Sequence, residues 1–555
     1  MVHFSCSANG SGPTWTMHVE GREAVRWPIL STGPVVLSDS RLEQFAERLL
    51  GVRLAEVPDL AARAVRYPQG SDGNASALVL HGATSAKRDF ECAVTDLLAG
   101  RAPTDMSGFL ETRAVALAGP DDLVVGRIAS WREAVRFFGV QALDLLDTDH
   151  YYLTHAVLDQ VSRETAASTR LLDWVSAHPD CVVRPYVFDL ETQLLLLWLV
   201  RRLGLPHLTV DANAPSVSTY WNQKSHLHPE TSFAAALAVE GFSAQRTLDL
   251  EYSYSPMAEQ LHIELPTVPG YTVVREARTE REFTADMCTA GRLLRERYGL
   301  LRGCLKPSQG GGGAGIVSGL VLADEHGLAA AAQAAYPHGG DYVLEADVDL
   351  FRFDVAGSAQ KLSPSGHIRG GQVATGMTAQ FVDGHAWVGN VYFDSATAAQ
   401  FGIAPELYDL MRSAIGELHR GLSAGQPAGS GFVTGGVDFV VGRLGGRFGD
   451  RPVAAAVDLN LSHHGGEYLR AFLEESVPAG RYAATRVFRP SADANLADTA
   501  SELSRSIPER ERTRLIGVIP DDWGMLAATG DTPLDAARRV FMLVERLQST
   551  GLALV

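Results

Sequence analysis

Residues 305–317, Leu-Lys-Pro-Ser-Gln-Gly-Gly-Gly-Gly-Ala-Gly-Ile-Val, constrain this chain more than any other stretch. A lysine closes an apolar, strand-like segment, four glycines, an alanine and a further glycine follow, and apolar residues resume. Backbone without Cβ atoms reaches φ > 0 at no steric cost, so a loop of this composition brings its N–H groups close to an anion. Lys306 adds a point charge at the entrance. In a Walker-type phosphate loop the Lys-Ser/Thr pair follows the last glycine and opens a helix, so that motif is excluded. A flexible linker is the competing reading of a glycine run. The apolar strands on both sides weigh against it.

With 555 residues the chain exceeds one core, and about three or four domains are expected. Hydrophobic residues at 46% and charged ones at 20% are ordinary for a globular protein. A net charge of −17, without a concentrated basic face, argues against nucleic acid as a partner. The longest apolar run, residues 194–200, is too short to span a bilayer and is flanked by Asp189, Glu191, Arg201 and Arg202, so no membrane partner is expected. Cys6, Cys92, Cys181, Cys288 and Cys304 are scattered and lack metal-type spacing, which reads as reduced, mostly buried thiols of a cytoplasmic protein. The first residues show no export signal.

Residues 1–150 mix short strand-like pieces with amphipathic helices such as 40–50, and residues 69–74 read as a loop or turn. No chemical motif falls here, and His81 and Cys92 read as ordinary core or surface residues. From residue 169 strand and helix alternate: a strand at 181–187, a helix at 190–203, and a strand at 207–210 after a Gly-Leu-Pro break. This is the rhythm of a parallel sheet, whose ligands sit at the carboxyl ends of strands. Tyr220-Trp-Asn-Gln-Lys224 leads into a helix of about a dozen residues, which places Lys224 near a helix start that favours anions. As a lone residue, Lys224 would be a solvated surface group. A strand at 271–274, a helix at 280–298, the two strands around the glycine loop and a helix at 328–335 follow. Beyond them come a strand at 341–345, a turn at Ser363-Pro-Ser-Gly366, a helix at 408–422, and a hairpin whose arms begin at residues 435 and 453.

On a strand, residues two apart share a face, so Asp458 and Asn460 project together and Asp438 on the partner arm can join them. Two carboxylates and an amide oxygen make a hard-oxygen site suited to Mg²⁺, with waters and phosphate oxygens completing the shell. A polar strand edge is the competing reading.

In this order and spacing the stretches resemble the ATP-grasp superfamily, and within it the pheganomycin-type peptide ligases, over roughly residues 170–550. The resemblance implies a multidomain α/β and α+β fold in which an ATP-grasp domain follows a pre-ATP-grasp α/β domain. Its expected divisions are an N-terminal region of unassigned role at 1–150, the pre-ATP-grasp domain at 151–220 with a share of 1–150, the ATP-grasp domain at 221–475 with a lid at about 270–340, and a C-terminal region at 476–555. It implies ATP and one or two Mg²⁺ ions. Asn222-Gln-Lys224 resembles the family's first phosphate lysine, and Lys306 its second. Ser308, Gly311, Gly312, Gly313 and Gly315 then belong to the mobile loop over the β- and γ-phosphates. Val343-Leu-Glu345-Ala-Asp347 resembles the strand beside adenine, with Glu345 at the acidic position and Ala346 and Asp347 offering backbone groups. Asp349 or Asp354 is the expected ribose acid. Asp438, Asp458 and Asn460 stand where the family holds magnesium.

One departure is marked: the family's last metal strand carries Glu-x-Asn-x-Arg, and here the string is Asp458-Leu-Asn460-Leu-Ser462. A cation at the Ser462 position would stabilise charge on an acyl phosphate, and His463, His464, Arg369 and Arg470 are the candidate substitutes. The implied reaction joins a small-molecule carboxylate to an amine through an acyl phosphate, with Lys306 among the catalytic groups. Amino-acid-derived substrates and specialised metabolism are expectations from the family alone. No GxSxG occurs and the cysteines lack an activating context, so no Ser or Cys nucleophile is assigned. A homodimer is left open. The alternative is a nucleotide-binding module without ligase activity, acting as a regulatory or scaffold subunit.

Overall fold

The helix Leu190–Leu203 shows how the first half of the chain is built. Every residue from Glu191 to Val200 is buried, around the whole circumference, which makes it an interior helix rather than an amphipathic surface one. Asp189 caps it by accepting the Thr192 N–H at 2.9 Å, and Gly204 ends it at φ 65°. Each leucine so buried contributes about 1.5–3 kcal/mol through removal from water. The computed structural model describes residues 2–9, 12–19, 22–28, 39–68, 75–84, 106–128, 131–145, 150, 152–239, 255–310, 313, 315–383, 386–427, 429–476, 481–506, 512–519 and 523–554. The expected loop at 69–74, Cys92, Gly311 and Gly312 lie outside them, as does the side chain of Cys6.

The interior helix shares its core with a six-stranded sheet in the order Val65–Arg66, Leu208–Val210, Val182–Pro185, Ala77–Leu80, Leu123–Gly126 and Gln141–Asp144. Every pairing in it is parallel. Strands Ala77–Leu80 and Val182–Pro185 are neighbours, yet the chain runs outward from them in opposite directions. That is a topological switch point, with His81 directly after one strand and Tyr186 directly after the other. Ahead of this sheet, Val2–Asn9, Gly12–Val19 and Arg22–Pro28 form an antiparallel meander.

A four-stranded antiparallel sheet follows, in the order Gly270–Val273, Tyr342–Ala346, Arg302–Pro307 and Val317–Val321. The helix Glu280–Tyr298 lies on it, opened by a Thr279/Glu282 capping box and closed by Gly299 at φ 68°. Phe283, Met287, Ala290 and Leu294 are buried at helical spacing and share a core with Leu305 and Leu344.

The largest sheet, of ten strands, carries Pro452–Asn460 beside Gly435–Arg443, then Pro364–Arg369, Met377–Asp383 and Ala386–Phe393. It continues through Tyr482–Phe488, Trp523–Gly530 and Thr513–Ile519. Helix Pro405–Ser423 presses Met411, Ile415 and Leu418 into its core. The expected α/β and α+β multidomain fold is therefore observed, and the Gly435–Arg443/Pro452–Asn460 hairpin is antiparallel as expected. Two local expectations are corrected. Ser363-Pro-Ser-Gly366 is not a turn, because residues 364–366 begin the strand Pro364–Arg369; proline is tolerated there as a strand's first residue. Lys224 does not start an α-helix. It opens a short 3₁₀ turn, Lys224–Leu227, and the helix begins at Thr231.

Asn213 ties the parallel sheet to the large one. Its amide donates to the carbonyls of Thr434 and Leu461 at 2.7 and 2.8 Å, and its oxygen accepts the N–H groups of Val433 and Thr434 at 2.7 and 2.8 Å. The side chain is 1% exposed. Truncating it strands buried backbone groups at about 1–3 kcal/mol each. Asn213→Ala is expected to lower stability by about 3 kcal/mol, measured as a lower urea midpoint. A change within about 0.5 kcal/mol would show that water replaces the clamp without loss.

Candidate active site

Cross-strand register assembles a polar face on the large sheet. Asp458, Asp438 and Ser365 stand opposite one another on three adjacent strands, and Asn460, Gly436 and His367 form the next row. The Ser365 hydroxyl donates to Asp438 Oδ1, Gln380 donates to Ser365 at 2.8 Å, and Asn460 Nδ2 donates to Asp438 Oδ2 at 3.1 Å. Burial, and next the charge of Asp458, push the Asp438 carboxyl up to about 6. A cation between the two aspartates would relieve both effects. Among the described residues no group of three or more His, Cys, Asp or Glu side chains is arranged for a metal ion. The set here is two carboxylates and an amide, and the Asn460 amide has to turn its oxygen inward to complete it. As a hard-oxygen donor set, it fits Mg²⁺.

The glycine loop meets this face through one ammonium. Lys224 Nζ lies 2.9 Å from Asp458 Oδ1 and donates to the Gly310 carbonyl at 2.9 Å. The backbone nearby is fastened as well: Lys224 N–H donates to Ser308 O at 2.9 Å, and the Ser308 and Ser225 hydroxyls are 2.8 Å apart. Gly313 and Gly315 adopt φ of 84° and 72°, the left-handed region that the glycine-rich composition permits. Lys306 is buried with its ammonium 2.5 Å from Glu345 Oε1, while His228 Nε2 meets Glu345 Oε2 at 3.1 Å. Burial opposes both charges, but their mutual attraction prevails, raising the Lys306 pKa and lowering that of Glu345. Both oxygens of Glu345 are thus engaged inside the protein. Ala346 is buried beside it, Asp347 accepts the Gly319 N–H at 2.8 Å, and Asp349 and Asp354 are exposed.

Histidines border the polar face. A Cβ on Gly466 would stand 2.8 Å from His464 Cε1 and one on Gly436 3.2 Å from it, so both glycines make room for that ring. His464 stacks on His367 with centroids 4.9 Å apart, and His367 Nε2 meets the Thr378 hydroxyl at 2.9 Å. Burial lowers His464 to about 4, so it carries no charge at neutral pH. His463 faces the other way, toward His81, with centroids 4.2 Å apart, and its Nδ1 bonds Glu467 Oε2 at 2.7 Å. Ser462 is buried and its hydroxyl donates to the His463 carbonyl at 3.3 Å. Arg470, also buried, donates to the carbonyls of Thr375 and Gly376 at 2.7 and 3.3 Å. Arg369 pairs with Glu474 at the surface. Neither arginine has a bond to the acidic face among the described residues.

Of the residues singled out in the sequence, Lys224 links Asp458 to the backbone of the glycine loop and of Ser308, Asn460 bonds Asp438, and Lys306 pairs with Glu345. Ser365, Gln380, His367, His228 and Glu467 join them unannounced. Ser365 was hidden by the turn expected at Ser363-Pro-Ser-Gly366. Burial pushes the Cys181 and Cys304 thiols up to about 11 and about 12, so neither is an activated nucleophile.

No family model matches the chain, and no curated protein matches it. Its likenesses among solved structures are remote. N5-carboxyaminoimidazole ribonucleotide synthetase, as its ADP complex, aligns over 79% of this chain and 94% of its own at 12% identity, with a TM-score of 0.42. D-cycloserine synthetase aligns over 64% of this chain and 99% of its own at 15% identity, with a TM-score of 0.30. D-alanyl-alanine synthetase A from Vibrio cholerae aligns over 53% and 76% at 12% identity, with a TM-score of 0.29. Likeness at this level says nothing of reaction or substrate.

Burial holds His81, His367 and His464 below the ordinary histidine value of 6.5. The unfolded chain takes up protons there that the folded chain refuses, so stability is full above pH 6.5 and is lost as pH falls toward 4. Scanning calorimetry is expected to show Tm falling on acidification from about pH 7, less steeply in His464→Gln. Equal slopes would contradict the assignment of a neutral, buried His464.

Proposed function

We propose that the protein is an ATP-dependent ligase that joins a carboxylate to an amine through an acyl phosphate, on amino-acid-derived small molecules. One observation carries the reading: the Lys224 ammonium bridges the glycine loop and the acidic strand, at 2.9 Å from each. A loop suited to phosphate and a donor set suited to Mg²⁺ are thereby held against each other.

Phosphoryl transfer needs positioning and charge neutralisation more than covalent assistance from the protein. The carboxylate oxygen attacks the γ-phosphorus, ADP leaves, and the amine then attacks the acyl carbon and expels phosphate. Lys224 and Lys306 offer fixed positive charge to the phosphates, and backbone N–H groups of the glycine loop add to it. Asp438, Asp458 and the Asn460 amide oxygen would hold Mg²⁺, which when bound neutralises charge between phosphate oxygens. Closure of the loop keeps water from the acyl phosphate. Asp458 and Glu345 balance the two lysines and hold both ammonium groups in place.

A nucleotide-binding module without ligase activity is the second reading, favoured by Ser462 in place of a cation and by the tethering of Arg470 and Arg369 elsewhere. ADP release in the presence of amino-acid pools separates the two. Amine-dependent release is expected, reduced about 100-fold or more in Lys224→Met and in Asp458→Asn. ATP binding without turnover across the pools would favour the module.

A further inference from the structure

Three features of the molecule lie outside the proposed machinery: a cavity of about 510 Å³ beside Tyr67, Asp189 and Glu191, the stacked His367/His464 pair, and the cluster of His81, Tyr186, His463 and Glu467. The carboxylates in the first are engaged, by Thr84 and Thr192 on Asp189 and by His155 on Glu191. In the second, Thr378 and His464 occupy the nitrogens of His367, while Gly466 N–H donates to His464. The third has ring nitrogens without a hydrogen-bond partner among the described residues. We propose that His463, oriented by Glu467, is the general base that takes a proton from the incoming amine, which enters at the switch-point crevice between His81 and Tyr186.

Both oxygens of Glu467 are committed: Oε2 to His463 Nδ1 at 2.7 Å, and Oε1 to the Thr434 hydroxyl, which donates at 2.6 Å. Burial alone would raise this carboxyl, but His463, His464 and Thr434 hold it well below the usual range, so it stays an acceptor. An ionised Glu467 requires the proton on Nδ1 of His463, and that tautomer leaves a lone pair on Nε2. Among the described residues Nε2 is buried and has no hydrogen-bond partner, and the same holds for both nitrogens of His81, which is 2% exposed. Buried polar atoms without partners are rare and mark a place for a polar ligand. The place is suitable on two further counts. His81 and Tyr186 sit at the carboxyl ends of the two strands that flank the switch point, with ring centroids 5.9 Å apart, and Tyr186 is 6.4 Å from His463. His463 lies three residues beyond Asn460, at most about 10 Å along the chain from the acidic face.

The titratable and charged groups around His463 are Glu467 and His464 on its own segment, and His81, Tyr186, Arg113 and Arg184 from the first half of the chain. Burial, and after it the charges of His463, Arg113 and Arg184, disfavour a proton on His81, and His463 is the one of the two that bonds a carboxylate. The step balances as follows. The nucleophile arrives as R–NH₃⁺ and gives one proton to Nε2. Its nitrogen then bonds to the acyl carbon, the carbon–oxygen bond to phosphate breaks, and the second proton leaves with phosphate as HPO₄²⁻. The proton on His463 returns to solvent.

This inference rests on the ligase reading, and the test separates the two. Hydroxylamine is largely unprotonated at neutral pH and traps an acyl phosphate as a hydroxamate without a base. The full-length protein, its His463→Asn variant, which keeps a donor for Glu467, and its Glu467→Gln variant would be assayed with ATP, Mg²⁺ and amino-acid pools for hydroxamate and for amide. The proposal expects His463→Asn to retain hydroxamate formation within about threefold while amide formation at pH 7 falls about 100-fold, recovering as pH rises and free amine accumulates. Glu467→Gln, a positioning change, should show the same split to a smaller extent. Equal loss of both products in His463→Asn, or equal retention of both, overturns the base and leaves the ligase reading standing. A wild-type protein that yields neither product overturns the ligase reading and the base with it.

Discussion

One buried carboxamide holds the two halves of this site together. Asn213 follows the last strand of the parallel sheet, and its four hydrogen bonds fix the backbone of residues 433, 434 and 461. Those residues border both strands of the acidic hairpin, so the distance from the switch-point crevice to Asp438, Asp458 and Asn460 depends on this one side chain. Ser218 and Asn222 reinforce it, the first donating to Leu461 O at 2.8 Å and the second accepting Leu461 N–H at 3.0 Å. A site assembled from separate sheets needs such a clamp, because a misplacement of about 1 Å costs on the order of 100-fold in rate.

Charge balance is the second theme. Lys306 with Glu345 and Lys224 with Asp458 are close pairs at low exposure, and pairs of this kind rarely add net stability, because desolvation offsets their attraction. Their value lies in holding ammonium groups in place before a ligand arrives. On the proposed reading, a triphosphate with its metal would replace one set of opposite charges by another. Burial keeps His367 and His464, which border the polar face, below the ordinary histidine value, so neither adds positive charge there at neutral pH.

Much of the architecture was legible in the sequence where local signals and burial agree. The helix Glu280–Tyr298 carries its capping box, its apolar spacing and its terminal glycine within itself, and the hairpin announces the shared face of Asp458 and Asn460 by strand alternation alone. The turn expected at Ser363-Pro-Ser-Gly366 failed because its local chemistry is that of a turn, while pairing with residues 435–438 imposes a strand. Asn213 was illegible as to role for a different reason. Its partners lie 221 and 248 residues along the chain, and no local pattern encodes such a contact. The Lys306–Glu345 pair shows the same limit: the sequence marked both residues without indicating that they neutralise each other.

The central claim is that one nucleotide, held by the glycine loop, brings its terminal phosphate between Lys224, Lys306 and the acidic hairpin. A crystal structure with Mg²⁺ and a non-hydrolysable ATP analogue tests it most directly. The account predicts the γ-phosphate within hydrogen-bonding distance of both lysines and a cation shared by Asp438, Asp458 and Asn460. A nucleotide bound elsewhere, or a cation that leaves the hairpin carboxylates untouched, would contradict it.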